Sequence, residues 1–452
     1  MTRNYLSSTR VRLYNLSIDT QKSVLAGIKV LEIGDELGEW CGKLLADMGA
    51  EVIKIEPVSG SKTRRYDPFY NNEPGVNKSL YYWHYNTSKK SITLDLNNRE
   101  CLPILEKLIQ YADVIIDSTY PSNLDALNLE YEACKRINET IVLASITPFG
   151  KAQPYSDHQS TDLTALAFGG PVWSSGYDDH SISPIRGEGN QAYQTACHYA
   201  CIAIMSALVY RQFTGIGQYV ETNMHAALNV TTEGSTYNYL VAGEVLQRQT
   251  GRHASVRTTP QSQTMCKDGI YINLGFPART EEQWFHLLSW LEEEDLIDDL
   301  GDYLSVPNWD AMRRGDTAAI EQQKKVMQTV SKLAAKLNAY DMFRKAQSLG
   351  FQWGIIYSPE EVLNDPHFKD RGFPVEVDHP EVDQSFIYPG APYKLPESPW
   401  KIQCRAPLLG EHNQEIYLQK LEFDKGNYMR FKDLKVISVS YTHLTLPTIY
   451  SV

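Results

Sequence analysis

The feature that most constrains this chain lies within its first sixty residues. The apolar run IKVLEI begins at Ile28, a glycine-bearing turn follows, then CGKLLADMGA closes on Gly49, and a second apolar run, EVIKIE, comes at once. Short continuous apolar runs are the signature of strands buried on both faces, and the spacing between them is that of a helix covering one face. Strand, helix and strand within about thirty residues make a βαβ unit, which imposes a parallel sheet with right-handed crossovers. The pattern recurs: SITLDL reads as a strand, LPILEKLIQYA as an amphipathic helix, and DVIID and IVLASI as further strands before the PFG turn. The first half is therefore expected to be α/β, an open parallel sheet.

A chain of 452 residues exceeds one ordinary core, so two domains are expected. The large domain is expected over 25–215. It includes a Gly-, Ser- and Asp-rich stretch, SSGYDDHSISPIRGEGNQ, and an apolar run from Tyr193 to Tyr210 that reads as a buried helix. From 216 to 334 the character changes to isolated strands such as GIYINLG and acidic helices around EEQWFHLLSWLEEEDLIDDL, a smaller α+β domain. Residues 335–422 are expected to return to the large domain. The stretch 437–452, rich in Thr and β-branched residues, resembles translated adapter read-through and is set aside as a non-native tail.

A net charge of -12 argues against a nucleic-acid or anionic-membrane surface, since both need an excess of Lys and Arg on one face. The first twenty-five residues lack a continuous apolar core and read as a polar leader, and no transmembrane run is expected. Seven scattered cysteines without metal-like spacing fit reduced thiols in the cytoplasm, with no zinc site.

Four ordered blocks carry a resemblance: GIKVLEIGDELGEWCGKLLADMGAEVIKIEPVSG (27–60), YNTSKKSITLDL (85–96), SITPFGKAQPYSDHQSTDLTALAFGG (145–170) and APLLGEH (406–412), with RGFPVEVDHP starting at Arg371. They resemble the CaiB/BaiF family, the family III CoA-transferases, from about residue 25 to 420. The resemblance implies a Rossmann-like large domain built from both chain ends, an inserted small domain, and an interlocked dimer. It also implies chemistry that moves CoA from an acyl-CoA to a small free carboxylic acid, with acyl-CoA as substrate and no permanently bound cofactor. A carboxylate nucleophile would form an anhydride and then an enzyme–CoA thioester.

By the same resemblance, CoA contacts fall at Leu94, Asp95, Leu96 and Asn97, at Ser118, Thr119 and Tyr120, and from Gln159 through Thr161 to Asp162. Three phosphate groups call for cations, and Lys89-Lys90 and Arg64-Arg65 are the nearest candidates in the blocks, with solvated surface charge as their alternative. The family often has Arg where Val58 and Ala126 stand here. Its nucleophilic aspartate starts the helix after the Gly-rich loop; counting back from Ser206-Ala207-Leu208 puts Tyr193 there. A phenol, with a pKa of about 10, is a poor substitute for a carboxylate. Asp162 and Glu188 are therefore the candidate catalytic acids, Asp162 having a helix-capping role as its alternative. Asp178 and Asp179 read as turn residues. Thr161 stands where the family's racemases carry histidine, which argues against racemase chemistry. Two functional expectations remain: a CoA-transferase, acting as a homodimer or as one half of a tandem pair, and a silent CoA-binding subunit.

Overall fold

The computed structural model describes residues 23–438 apart from 121, 153, 276 and 277. Residues 1–22 of the expected polar leader and 439–452 of the expected tail lie outside the described residues; the leader's last residue, Leu25, is buried and its N–H donates to Met48 O (3.1 Å).

The predicted βαβ start is present as β1 (Lys29–Ile33), a helix at Glu36–Asp47 and β2 (Glu51–Glu56). With β3 (Lys90–Thr93), β4 (Val114–Asp117), β5 (Val142–Thr147) and β6 (Tyr219–Asn223) they form one sheet in the order β3-β2-β1-β4-β5-β6. The pairings β3–β2, β2–β1, β1–β4 and β4–β5 are all parallel, so the fold is α/β with the Rossmann-like order. Every residue of β4 and β5 is buried, as a central parallel strand requires.

The chain divides into two compact units: Met1–Ser145, Ala200–Val220 and Val375–Val452 form one, Ile146–Tyr199 and Glu221–Pro374 the other. In the first, both chain ends share one core, in which Ile416, Tyr417 and Phe431 pack with Leu31, Ile55 and Ile92. Asn413 seals the sheet edge, since its Oδ1 accepts from the Thr93 N–H (2.9 Å) and its amide donates to Thr93 Oγ1 (2.9 Å). Ile437 and Ser438, the first two residues of the stretch expected to be foreign, belong to this packing: Ile437 joins the core and the Ser438 N–H donates to Thr93 Oγ1.

The second unit holds an antiparallel sheet of Gln263–Met265, Tyr271–Asn273 and Gly354–Ile355, with helices Glu281–Glu293, Thr317–Lys336 and Ala339–Ser348. The division departs from the boundaries expected at 215/216 and 334/335. Met342 and Ala346 pack with Trp284, Trp290 and Trp353, so the chain returns to the first unit only at Val375. Near the other boundary, Gly169 lies so close to Leu228 that an added Cβ would stand 2.7 Å from the leucine Cβ, which ties 162–169 to the helix Met224–Val230.

Polar groups organise the first unit's interior. Glu32 on β1 and Lys54 on β2 are register partners and pair at 2.9 Å; Lys54 also meets Glu39 (2.9 Å), and Glu32 meets Lys89 (2.7 Å). All four side chains are essentially inaccessible. Burial works against the Lys54 charge, but Glu32 and Glu39 outweigh it and hold the ammonium well above its usual pKa. Gly42 makes the arrangement possible, because a Cβ there would lie 1.6 Å from Glu32 Oε2. Lys54→Met takes the buried Glu39 carboxylate's cation away and leaves Glu32 with Lys89 alone, and is expected to destabilise this unit by about 3–5 kcal/mol. A urea-melt midpoint equal to the parent's would show the network to be dispensable.

Candidate functional site

Strand order reverses between β1 and β4, and ligands of open α/β sheets bind outside the carboxyl ends of strands at that point. Gly34 follows β1 with φ 133°, and a Cβ there would lie 2.0 Å from Ser118 Oγ, so the two strand ends meet through backbone. Ser118 N–H donates to Ile33 O (2.9 Å). The Thr119 N–H (3.0 Å) and hydroxyl (2.5 Å) both donate to Asp117 Oδ1, while the Ser122 hydroxyl donates to Asp117 Oδ2. Tyr120 continues this loop as a partly buried residue.

The other expected CoA contacts follow β3. Leu94 is a core residue whose N–H donates to Glu56 O (2.7 Å), so its side chain is closed to a ligand. Asp95 Oδ1 accepts from the Asn97 N–H (3.0 Å), turning the chain there, with Leu96 half-buried and Asn97 exposed. These residues and Ser118–Tyr120 line the same sheet edge three strand spacings apart, about 14 Å.

The cationic candidates are corrected. Lys89 is fully buried, paired to Glu32 and donating to Glu39 O (2.8 Å) and Asn86 Oδ1 (2.9 Å). Arg64 is buried on Glu56 (2.6 and 2.8 Å) and the Tyr82 ring (3.7 Å). Burial opposes the Glu56 charge, yet Arg64 brings its pKa down to about 2. Lys90 bridges Glu51 (2.7 Å) and Glu415 (2.6 Å), and Arg65 donates to Ser59 O (3.1 Å). Lys89 and Arg64 are internal counter-ions, neither surface charges nor phosphate ligands.

In the second unit the predicted acids are resolved by geometry. Thr161 is the N-cap of the helix Asp162–Gly169, exchanging bonds with Thr164, so Asp162 does not cap its own helix. Its Oδ1 accepts from the Ala192 N–H (2.8 Å) at the start of the helix Gln191–Thr214, with a further backbone bond from Tyr193, and its Oδ2 meets Arg186 Nη1 (3.0 Å). Burial raises the Asp162 pKa against these partners. Tyr193 is buried, whereas Glu188 and Gln159 are exposed. Asp179 holds a turn through the Ser181 N–H (2.9 Å), but Asp178 clasps Arg252 (2.7 and 3.1 Å). Arg186 escaped sequence reasoning, because nothing in PIRGEG marks a partner twenty-four residues earlier.

The run Tyr193–Tyr210 was expected to be a buried helix, but the helix Gln191–Thr214 that contains it is buried on one side only: Ile202 is 62% exposed and, beyond the run, Phe213 80%. Among the described residues it is also the one helix long and apolar enough to cross a membrane. Its Ala192, Ala196, Cys197, Ala200 and Ile204 stripe is buried, as in the core-facing helix of a globular unit.

Comparison with known proteins gives these features a context. Residues 25–413 match the family model described as CoA-transferase family III. The chain belongs to CoA-transferase family III. The BbsE subunit of the succinyl-CoA:(R)-benzylsuccinate CoA-transferase of Thauera aromatica is 29% identical over 86% of this chain and 93% of its own. The succinate–glutarate CoA-transferase of Agrobacterium fabrum is 28% identical over 89% and 96%. A crystal structure of a CaiB/BaiF family protein from Brucella suis superposes with a TM-score of 0.72 at 27% identity, over 89% of this chain and all of that one. One copy of this length thus corresponds to nearly the whole of each relative, so the tandem half expected from sequence has no parallel in them.

This family III chain places an unusual acid at the carboxyl end of β1. Burial, with Glu39 and Glu36 adding to it against Lys54, raises Asp35 to about 6. A carboxyl whose folded pKa lies above its unfolded value of 3.8 supports the fold below pH 3.8 and loses that support as pH rises through 6. Asp35→Asn is therefore expected to raise stability at pH 8 by about 3 kcal/mol and to leave it nearly unchanged at pH 4. Melts at the two pH values check this, and equal gains at both would contradict the shift.

Proposed function

We propose that this chain transfers CoA between a dicarboxylyl-CoA and a free carboxylic acid, paired with a second family chain, in the cytoplasm. The observation that carries the reading is a helix start held by a buried carboxylate, Asp162 on Ala192 and Arg186, within a chain that matches the family from 25 to 413. The substrate class rests on what relatives are named for: succinyl-CoA with benzylsuccinate, succinate with glutarate, and, in Streptomyces avermitilis, formyl-CoA with oxalate.

The reaction needs an ionised carboxylate that attacks the thioester carbonyl and expels the CoA thiolate, leaving an acyl–enzyme anhydride. The thiolate then attacks the enzyme's own carbonyl, releasing the first acid and leaving an enzyme–CoA thioester that the second acid opens in reverse order. Both Asp162 oxygens are engaged, which suits positioning of the 191–214 helix. Glu188 is exposed three residues before that helix and is the acid free to attack. Trapping the thioester with hydroxylamine during turnover tests the assignment. Glu188→Gln is expected to abolish the adduct, whereas Asp162→Asn should lower stability and rate together. An adduct that persists in Glu188→Gln and appears on a co-purifying chain would move the nucleophile to the partner.

Pairing rests on uncovered apolar faces. Leu240 and Val241 are 75% and 87% exposed on the helix Glu233–Ala242, and Phe213 is comparably bare. Surfaces of this kind are normally covered in a soluble protein. Light scattering is expected to find two chains per particle, and Leu240→Glu with Val241→Glu should yield a folded single chain. A parent protein that elutes as a monomer would refute the pairing.

A further inference from the structure

Residues 173–185, which run through the Gly-, Ser- and Asp-rich stretch, lie against an antiparallel hairpin made of Gln247–Gln249 and Arg252–Ser255. Both segments belong to the second unit. The Trp173 indole donates to Leu246 O (2.8 Å), the Asp178 N–H donates to Thr250 Oγ1 (3.0 Å), and Arg252 holds both Asp178 oxygens (2.7 and 3.1 Å). The loop also closes on itself, since the Ile185 N–H donates to Ser175 O (3.2 Å).

One residue of the hairpin stands out by its charge. Arg248 is 7% exposed, and among the described residues no carboxylate pairs with it. Its Nη2 donates to two loop carbonyls, His180 O (3.2 Å) and Ile182 O (3.0 Å), while its Nε is buried without a partner. The loop approaches it through Gly176, where φ is 141° and a Cβ would stand 2.9 Å from Arg248 Cδ. A buried cation met only by carbonyls is destabilising, and an apolar side chain of similar length would fill the same space without that penalty. What the guanidinium supplies is a fork of donors that ties the carbonyls on either side of Ser181.

The loop leads directly to the candidate acid. Arg186 follows Ile185, donates to Gly189 O (2.8 Å) and meets Asp162 (3.0 Å), and Glu188 stands between Arg186 and Gly189. The segment 186–189 is thus anchored through Arg186 to Asp162, and the chain enters it from a loop that Arg248 holds to the hairpin.

We infer that Arg248 is a positioning residue: by holding the loop 175–185 it fixes where Glu188 stands. The catalytic consequence rests on the proposed transfer reaction; the hold on the loop does not. Trypsin digestion of the full native chain reads the hold, with cleavage after Arg186 reporting the loop and cleavage after the exposed Lys324, on the helix Thr317–Lys336, reporting unfolding of the unit. Arg248→Met is expected to speed cleavage at Arg186 by about tenfold, the worth of one hydrogen bond to a charged group, without speeding cleavage at Lys324. Arg248→Lys, which keeps a charged donor for the carbonyls, should recover most of the difference. Gly176→Ala leaves every charge in place and tests the same contact from the loop side; it is expected to act like Arg248→Met, and it decides the matter where the methionine variant does not fold. Equal acceleration at both cleavage sites would show a role in stability alone and overturn the inference, as would an unchanged rate at Arg186 in both variants.

In transfer from succinyl-CoA to glutarate, Arg248→Met is expected to lower kcat by at least about tenfold and to leave the KM for succinyl-CoA unchanged. A loosened loop with an unchanged kcat removes Arg248 from the positioning of Glu188. A loosened loop in a protein whose parent transfers no CoA sinks the proposed reaction and leaves the hold on the loop standing.

Discussion

The first unit is organised around the contact of Glu32 with Lys54 and Lys89. An apolar strand pair would pack more cheaply, since burying two lysines and two glutamates removes four charges from water. What the network supplies is geometry. Glu32 sits on β1, Lys54 on β2, Lys89 just before β3 and Glu39 on the first helix, so four segments of the chain are tied at one point. Lys54 also donates to Gly34 O (3.0 Å), the carbonyl at which β1 ends. The strand ends that form the ligand-facing edge are therefore fixed by charge, where an apolar contact would tolerate sliding. Gly34, Gly38 and Gly42 are corollaries of that fixation: the helix must approach Ser118 and Glu32 more closely than any Cβ allows.

The same logic recurs in the second unit on a smaller scale. A helix begins with unsatisfied N–H groups and a partial positive charge. At Gln191 they are met by Asp162, thirty residues earlier in the chain, with Arg186 balancing the carboxylate. This joins two helices and the Gly-rich loop between them through a single side chain. It also explains how a tyrosine can follow at 193 without loss of the helix, because the residue that secures the helix start is not at that position.

The parallel sheet was legible because its evidence is local: four-to-six-residue apolar runs, a 3.6-residue helical spacing and glycines at the turns. What escaped was set by distance. No pattern around Asp162 reveals a cap thirty residues away, and no pattern in TSKK distinguishes a buried Lys89 from an exposed one, since the carboxylate that neutralises it stands on β1. The second boundary was misplaced for a similar reason. The helix Ala339–Ser348 is amphipathic wherever it packs, and only contact with Trp290 and Trp353 decides which unit receives its apolar face. The helix Gln191–Thr214 shows the converse: its composition reads as interior, yet its Phe213 and Ile202 side lies open.

Charge distribution links these observations to chemistry. A protein that handles thioesters of acids and free carboxylates works on anions, and a net charge of -12 repels them at long range. Screening removes most of that repulsion beyond about 8 Å at physiological salt, so capture depends on the local charge of a site and hardly on the total. In the first unit the buried acids and bases are paired internally, and at the sheet edge the Ser118 and Thr119 donors are likewise engaged, with Ile33 O and Asp117, where they hold the strand-end loop in place.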